Sequence, residues 1–266
     1  MDAEKLKKTE LEDQLPLSRP ALPDRVNVLR VPVDIVMPEQ LSGIIHQLQS
    51  SSGSKDIVLL SLWDLLRARR NKEYHSFVIN AGLVIPISKS IISGARFLTG
   101  KIPYRYMPFN FVIGLLGILE HKENTAYLLG ARKTSLSKTE KNLRRTFPQL
   151  RIVGRYPGYF RKQEEKVILE AIYKASPHLL LVGKGVRGGE MWIARNTAYL
   201  GNGLRLWCSD LFDIFAEKKK RPSEKAFEHG LESLGYCMKN PLKFLRIFPY
   251  IRYKFLLLIY KIFRII

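Results

Sequence analysis

Cysteine is nearly absent from this chain. Its 266 residues hold only Cys208 and Cys237, which excludes a disulfide framework and fits a reducing compartment. Acidic residues are also scarce, 24 Asp and Glu against 44 Lys and Arg, and the net charge of +20 attracts polyanions or an anionic membrane surface. The first residues, Met1-Asp-Ala-Glu-Lys-Leu-Lys-Lys, lack the apolar core of an export signal, so a cytoplasmic location is expected. No D-x-D string occurs, and His46, His75, His121, His178 and His229 show no metal-ligand spacing. Each reads as an ordinary surface or strand-end side chain. No internal repeat is evident.

What is present is enough chain to bury a full core as one large domain, or as one domain with an appendage. Residues 1–25 are polar, charged and proline-bearing and read as a mobile lead-in. Val26 to Val36 is a valine-rich run, and Pro38 opens a helix over Glu39 to Gln49. Ile57 to Leu62 and Phe77 to Ile85 read as buried strands, with a helix over Asp64 to Asn71 between them. Ser88 to Leu98 and Phe109 to His121 are apolar helices, Ala126 to Leu129 a strand, Ser137 to Thr146 a charged surface helix, and Arg205 to Ser209 a further strand. Strands alternating with helices predict an α/β fold over residues 26–215, with a mostly parallel, Rossmann-like sheet flanked by helices, followed by a basic helical appendage over 216–266.

The richest stretch runs from Arg151 to Arg195. It reads as a strand from Arg151, a helix over Lys162 to Ala175, a strand over His178 to Val182, the turn Gly183-Lys-Gly-Val-Arg-Gly188, and a second helix. Such a unit places the turn at the C-terminal edge of a parallel sheet, where ligands bind. The turn matches G-x-G-x-x-G, a spacing that lets backbone N–H groups approach a diphosphate. A dinucleotide fingerprint, however, normally sits in the first strand–loop–helix unit, and this one lies two-thirds along the chain. Taken alone, the glycines are better explained as a tight strand-to-helix turn.

The wider pattern is more specific. Arg151-Ile-Val-Gly154, Gly158-Tyr-Phe160, Leu180-Leu-Val-Gly-Lys-Gly185 and Glu190-Met-Trp-Ile-Ala-Arg195 follow one another, preceded by Val31-Pro-Val-Asp34, Leu128-Leu-Gly130 and Phe147-Pro148. Phe212-Asp213, Arg221-Pro222, Gly230-Leu-Glu232 and Asn240-Pro241 come after. Together these strings resemble the WecG/TagA/CpsF family of bacterial glycosyltransferases from about Val26 to about Tyr253. The resemblance implies transfer of an N-acetylmannosamine-type sugar from a UDP-sugar donor to a hydroxyl of a polyprenyl-diphosphate-linked acceptor, in the assembly of surface polysaccharide or wall teichoic acid, without a metal cofactor. Such chemistry needs a base at the acceptor hydroxyl and cations or N–H donors at the departing diphosphate. By position the family implies substrate contacts at Gly183, Gly185, Glu190 and Trp192, and at Arg105 in Pro103-Tyr-Arg105. Arg221, at the end of Lys218-Lys-Lys-Arg, is a candidate for diphosphate binding from the appendage, because a guanidinium fork matches phosphate oxygens.

Three strings depart from the family around one pocket. The family's catalytic aspartate lies in a Pro-Asp-Gly turn after a strand, and here Pro86-Ile87-Ser88 puts Ile87 at that place. The preceding strand ordinarily carries Thr-x-Asn, where this chain has Leu59 and Ser61, and Arg187-Gly-Gly-Glu190 replaces Pro-Lys-Gln-Glu. An isoleucine accepts no proton, so an active enzyme must draw its base from Asp64, Glu190 or Asp213. The alternative is a catalytically impaired relative that binds nucleotide sugar or lipid-linked saccharide as a non-enzymatic membrane partner.

From Ala216 to the end there are twelve basic and four acidic residues. From Tyr236 onward Lys239, Lys243, Arg246, Arg252, Lys254, Lys261 and Arg264 meet no acidic residue and alternate with aromatic and aliphatic side chains. Nucleic acid would use such cations and aromatics. It would not need the aliphatic residues, so an anionic membrane surface is the expected partner of residues 236–266 and nucleic acid is not. The tail's longest uncharged apolar run, Phe255 to Tyr260, is far below the roughly 20 residues of a spanning helix. The tail is therefore expected to lie on the cytoplasmic face of the membrane. Packing back on the core, or on a second copy in a homo-oligomer, is the alternative.

Overall fold

A computed structural model of the chain describes residues 23–221, 223–229 and 247–263. The valine-rich run forms two strands, β1 (Asp24–Val28) and β2 (Val31–Ile35), paired antiparallel apart from the main sheet. Leu29 and Arg30 both take positive φ, 53° and 67°, which is the hand a two-residue hairpin turn requires. The usual glycine or asparagine is missing from that turn, so nothing in the sequence announces it.

The remaining strands, β3 (Asp56–Leu60), β4 (Leu83–Pro86), β5 (Thr125–Leu129), β6 (Arg151–Tyr156), β7 (Leu179–Gly183) and β8 (Leu204–Ser209), form one sheet in the order β4-β3-β8-β7-β5-β6. Every pairing in it is parallel. The connections are helical: α1 (Leu41–Ser50), α2 (Leu62–Ala68), α3 (Lys72–Asn80), α4 (Lys89–Thr99), α5 (Pro108–His121), α6 (Lys133–Thr146), α7 (Glu165–Ala175) and α8 (Glu190–Asn196). Beyond β8 come α9 (Leu211–Phe215), α10 (Glu224–His229) and α11 (Ile247–Ile262). Every residue of β3 and β7 is buried, because helices cover both faces of a parallel sheet, and the strands read as continuous apolar runs for that reason. One core cluster lies under α1, α5 and α9, a second joins the hairpin valines to α2, α3, α4 and α11, and a third lies beneath α7 and α8.

The strand expected over Phe77 to Ile85 is shorter than that. Asn71 caps α3 by accepting the Tyr74 N–H at 2.8 Å, and the helix runs through Asn80, leaving β4 as Leu83–Pro86. A short apolar run does not distinguish the end of a buried helix from a strand. The lead-in up to position 22, the motifs at Gly230-Leu-Glu232 and Asn240-Pro241, and the cations Lys239, Lys243, Arg246 and Arg264 lie outside the described residues.

One face of α11 packs against α4. Tyr253 is fully buried, donates to the Ser90 carbonyl at 2.8 Å, and occupies space left by Gly94, where a Cβ would come within 2.0 Å of its hydroxyl. The opposite side exposes Phe248, Ile251, Phe255, Leu258 and Ile262, which recur at three- and four-residue steps along one stripe. Among the described residues no helix is long and apolar enough to cross a membrane.

Asp34 fixes the hairpin to the sheet. Fully buried in β2, it accepts two bonds from Arg25, at 2.6 and 2.9 Å, and the Val84 N–H of β4 at 2.7 Å. Asp34→Ala would leave the buried Val84 donor unpaired and should cost about 2–3 kcal/mol in urea unfolding.

Candidate active site

A cavity of about 590 Å³ opens at the C-terminal ends of β3, β4, β7 and β8. The chain runs outward from β3 to β4 on one side of the sheet and then crosses to β5 on the other, which makes this edge a topological switch point, the ordinary place for a ligand in an open α/β sheet. Leu59 and Ser61 from the end of β3, Ile87 after β4, and Gly188, Gly189 and Glu190 after β7 all line it. The positions singled out as departures thus share one wall system.

The turn carrying Ile87 is held by its backbone. The Ile87 N–H donates to the Leu60 carbonyl at 3.0 Å, its own carbonyl accepts from Arg105 Nε at 3.0 Å, and the neighbouring Ser88 hydroxyl accepts the Leu62 N–H at 3.0 Å. The Arg105 guanidinium stacks 3.7 Å over the ring of Phe227, a residue of α10 that lines the cavity. Arg105 itself borders an adjacent cavity of about 660 Å³.

Three carboxylate residues line the main cavity, Asp64, Glu190 and Asp210. Asp64 closes a capping box at the start of α2, where the Ser61 N–H donates to its Oδ2 at 3.0 Å and the Ser61 hydroxyl bonds to the same oxygen. Burial raises its pKa above the usual carboxylate range, against those bonds and the charge of Arg67. Glu190 begins α8 and is only 8% exposed. Tyr74 of α3 donates to Glu190 Oε2 at 2.6 Å, and Arg67 of α2 lies 3.9 Å from that oxygen and 4.0 Å over the Tyr74 ring. Burial, reinforced by the Asp64 charge, pushes Glu190 up to about 7. Burial and the charge of Glu190 also raise the Tyr74 phenol, which keeps its proton and its role as donor. Arg67 and Lys219, the latter ion-paired with Asp210, add cations to the lining. Cys208 borders the cavity, but burial lifts its thiol well above the usual range and it donates to the Val182 carbonyl, so no thiolate nucleophile is provided.

The other candidates lie elsewhere. A Cβ on Gly183 would come within 2.7 Å of the Phe212 ring, and one on Gly185, at φ 96°, within 2.6 Å of Tyr159. These glycines let the loops after β5, β6 and β7 touch, as the bonds Ala131 N–H to Lys184 O, at 2.5 Å, and Tyr159 N–H to Gly185 O, at 2.7 Å, record. Trp192 is buried in the cluster beneath α7 and α8, with its indole N–H on Glu165. Asp213 lies in α9, outside the cavity lining, where its carbonyl accepts the N–H groups of Lys218 and Lys219. Arg221 is exposed, 5.8 Å from the ring of the cavity residue Phe109. Among the described residues no three His, Cys, Asp or Glu side chains are grouped to hold a metal.

Arg67, Tyr74, Lys219 and Trp207 belong to the cavity or its immediate support and were missed from the sequence. Arg67 stands three residues beyond Asp64 on one helix face, a spacing that could have found it. Tyr74 is 116 residues from Glu190, and no local pattern links them.

Residues 26–265 match the model of the glycosyl transferase WecG/TagA/CpsF family, and the chain belongs to that family. It is 21% identical over 186 residues to the N-acetylglucosaminyldiphosphoundecaprenol N-acetyl-beta-D-mannosaminyltransferase of Bacillus spizizenii, covering 70% of this chain and 72% of that one. To the Bacillus subtilis protein of the same name it is 20% identical, with the same coverage of each.

The raised carboxyl has a consequence for stability. A group whose folded pKa stands above its ordinary 4.5 contributes fully below that value, and the contribution is lost as pH rises through about 7. Glu190→Gln should therefore flatten the fall of melting temperature between pH 5 and 8, and above pH 7.5 should stabilise the protein by on the order of 3 kcal/mol.

Proposed function

We propose that the chain transfers an N-acetylhexosamine-type sugar from a UDP donor to a hydroxyl of a polyprenyl-diphosphate-linked acceptor in the synthesis of cell-surface polysaccharide. The observation that carries this is the cavity at the switch point, into which buried carboxyl groups and the cations Arg67 and Lys219 open together. An acid–base group beside the acceptor hydroxyl and positive charge beside the departing diphosphate are what such a transfer requires. The names of the two Bacillus relatives support the acceptor class and the amino sugar. In this reading the cations take the role a bound metal would otherwise have at the diphosphate.

The proposal includes a seat on the anionic face of a membrane, where a lipid-linked acceptor is found. The exposed stripe of α11 supports it, since Arg252, Lys254 and Lys261 accompany those apolar side chains in the manner of an interfacial helix. Ile87 favours a second reading, in which the cavity binds nucleotide sugar or lipid-linked saccharide without turnover and the protein acts as a membrane partner.

Incubating the full chain with UDP-N-acetylmannosamine or UDP-N-acetylglucosamine and a short-chain polyprenyl-diphosphate-linked N-acetylglucosamine should release UDP and form a lipid-linked disaccharide. UDP binding without turnover would select the second reading, and neither would overturn both. Flotation with vesicles containing phosphatidylglycerol should recover the protein, and the triple change Phe248→Ser, Ile251→Ser, Phe255→Ser should reduce recovery at least about tenfold. Undiminished flotation would remove α11 from the docking surface.

A further inference from the structure

We propose that Glu190 is the general base of this chain, standing in for the carboxylate that Ile87 has replaced, with Tyr74 as its positioning residue. The proposal rests on the transferase reading and goes beyond it by assigning the proton to one side chain on α8.

Geometry separates Glu190 from its competitors. Asp213 is outside the cavity lining, and Asp210, which is in it, is ion-paired with Lys219. Asp64 is inside it but is committed to its own helix, because the Ser61 N–H and hydroxyl both bond to Oδ2 and close the capping box; taking up a proton there would weaken the start of α2. Glu190 is likewise held through one oxygen, but by a side chain of another helix, and it caps nothing at the start of α8. Tyr74 donates to Oε2, the oxygen nearest Arg67, and among the described residues no donor reaches Oε1. Since Glu190 lines the cavity, Oε1 is the oxygen offered to a ligand. The tyrosine bond fixes the rotamer and favours the ionised carboxylate, which is the form a base needs.

The surroundings fit a base that works near neutrality. Facing Glu190 are Asp64 and Arg67 from α2 and Tyr74 from α3, with Asp210 and Lys219 also in the cavity lining. Burial and the Asp64 charge lift Glu190 to about 7, so it is a strong enough base to matter and is still partly ionised at neutral pH. In the transfer, the acceptor hydroxyl oxygen forms a bond to the anomeric carbon of the donor and its proton passes to Glu190 Oε1. The bond from the anomeric carbon to the phosphate oxygen breaks, UDP leaves with that electron pair, and Glu190 then returns the proton to solvent.

The test compares the wild-type chain with Glu190→Gln, Tyr74→Phe and Glu190→Gln/Ile87→Asp, using UDP-N-acetylmannosamine and the lipid-linked N-acetylglucosamine acceptor. Glu190→Gln should lower kcat about 10²–10⁴-fold and keep UDP affinity within about threefold, the binding also serving as the check on folding. The wild-type rate should rise with pH through about 7; Glu190→Gln should lack that limb. Tyr74→Phe, by removing a bond to the charged form, should move the limb to higher pH. Restoring a carboxylate at 87 should recover at least tenfold of the lost rate. If the wild type turns over and Glu190→Gln stays within about fivefold of it with the pH limb unchanged, the base assignment is wrong while the transferase reading survives. A wild type that turns over no UDP-sugar removes the transferase reading and the base assignment with it.

Discussion

A carboxyl group buried at the head of a helix has to be held by something, and at position 190 the holder is the Tyr74 hydroxyl. That single 2.6 Å bond joins α3 to α8, two helices whose sequences have nothing locally in common. It keeps the Glu190 side chain against the cavity wall, and it brings the aromatic ring under Arg67. An unsatisfied charge in such a place would cost far more than the bond contributes, so the ionised form of Glu190 depends on Tyr74 and Arg67. The candidate site therefore depends on contacts between segments that meet only after the sheet has formed.

The glycine turn has a different part. Gly183 and Gly185 permit the loops after β5, β6 and β7 to lie backbone against backbone, which packs that half of the sheet edge closed. The opening is left on the other half, between the ends of β3, β4, β7 and β8, and the residues of the turn that reach it are Gly188 and Gly189. A phosphate-loop spacing here produces a tight edge first and a cavity wall second. The Arg105–Phe227 stack extends the same logic to α10, since it sets an appendage side chain into the cavity lining from a turn that also holds Ile87.

The architecture was largely legible because its signals are periodic. The succession from Arg151 to Arg195 reads correctly as strand, helix, strand, turn and helix, and the parallel sheet follows from that alternation. The hairpin was not legible, because Leu29 and Arg30 adopt a left-handed turn that their chemistry does not advertise. Nor was the boundary at Phe77, where Val78 packs into the core as a helical residue just as it would from a strand. Within the site, Asp64 was visible as an available carboxylate at the start of its expected helix, and Glu190 through its place after the turn. Tyr74 was not, since it gains its meaning only from a fold that carries α8 to α3.

The isoleucine at 87 is then consistent with the rest of the cavity. Asp64 and Glu190 both line the cavity, burial raises the pKa of each, and the charge of Asp64 adds to the cost of ionising Glu190. A further carboxylate at 87 would add like charge and drive Glu190 further toward its protonated form, in which it takes up no proton. An apolar side chain at 87 leaves the desolvation that lifts Glu190 toward neutrality without the repulsion that would carry it past. On the proposed base assignment, an isoleucine at 87 and a buried glutamate at 190 held by Tyr74 would be one electrostatic adjustment, with the proton acceptor at the start of α8 rather than at the end of β4.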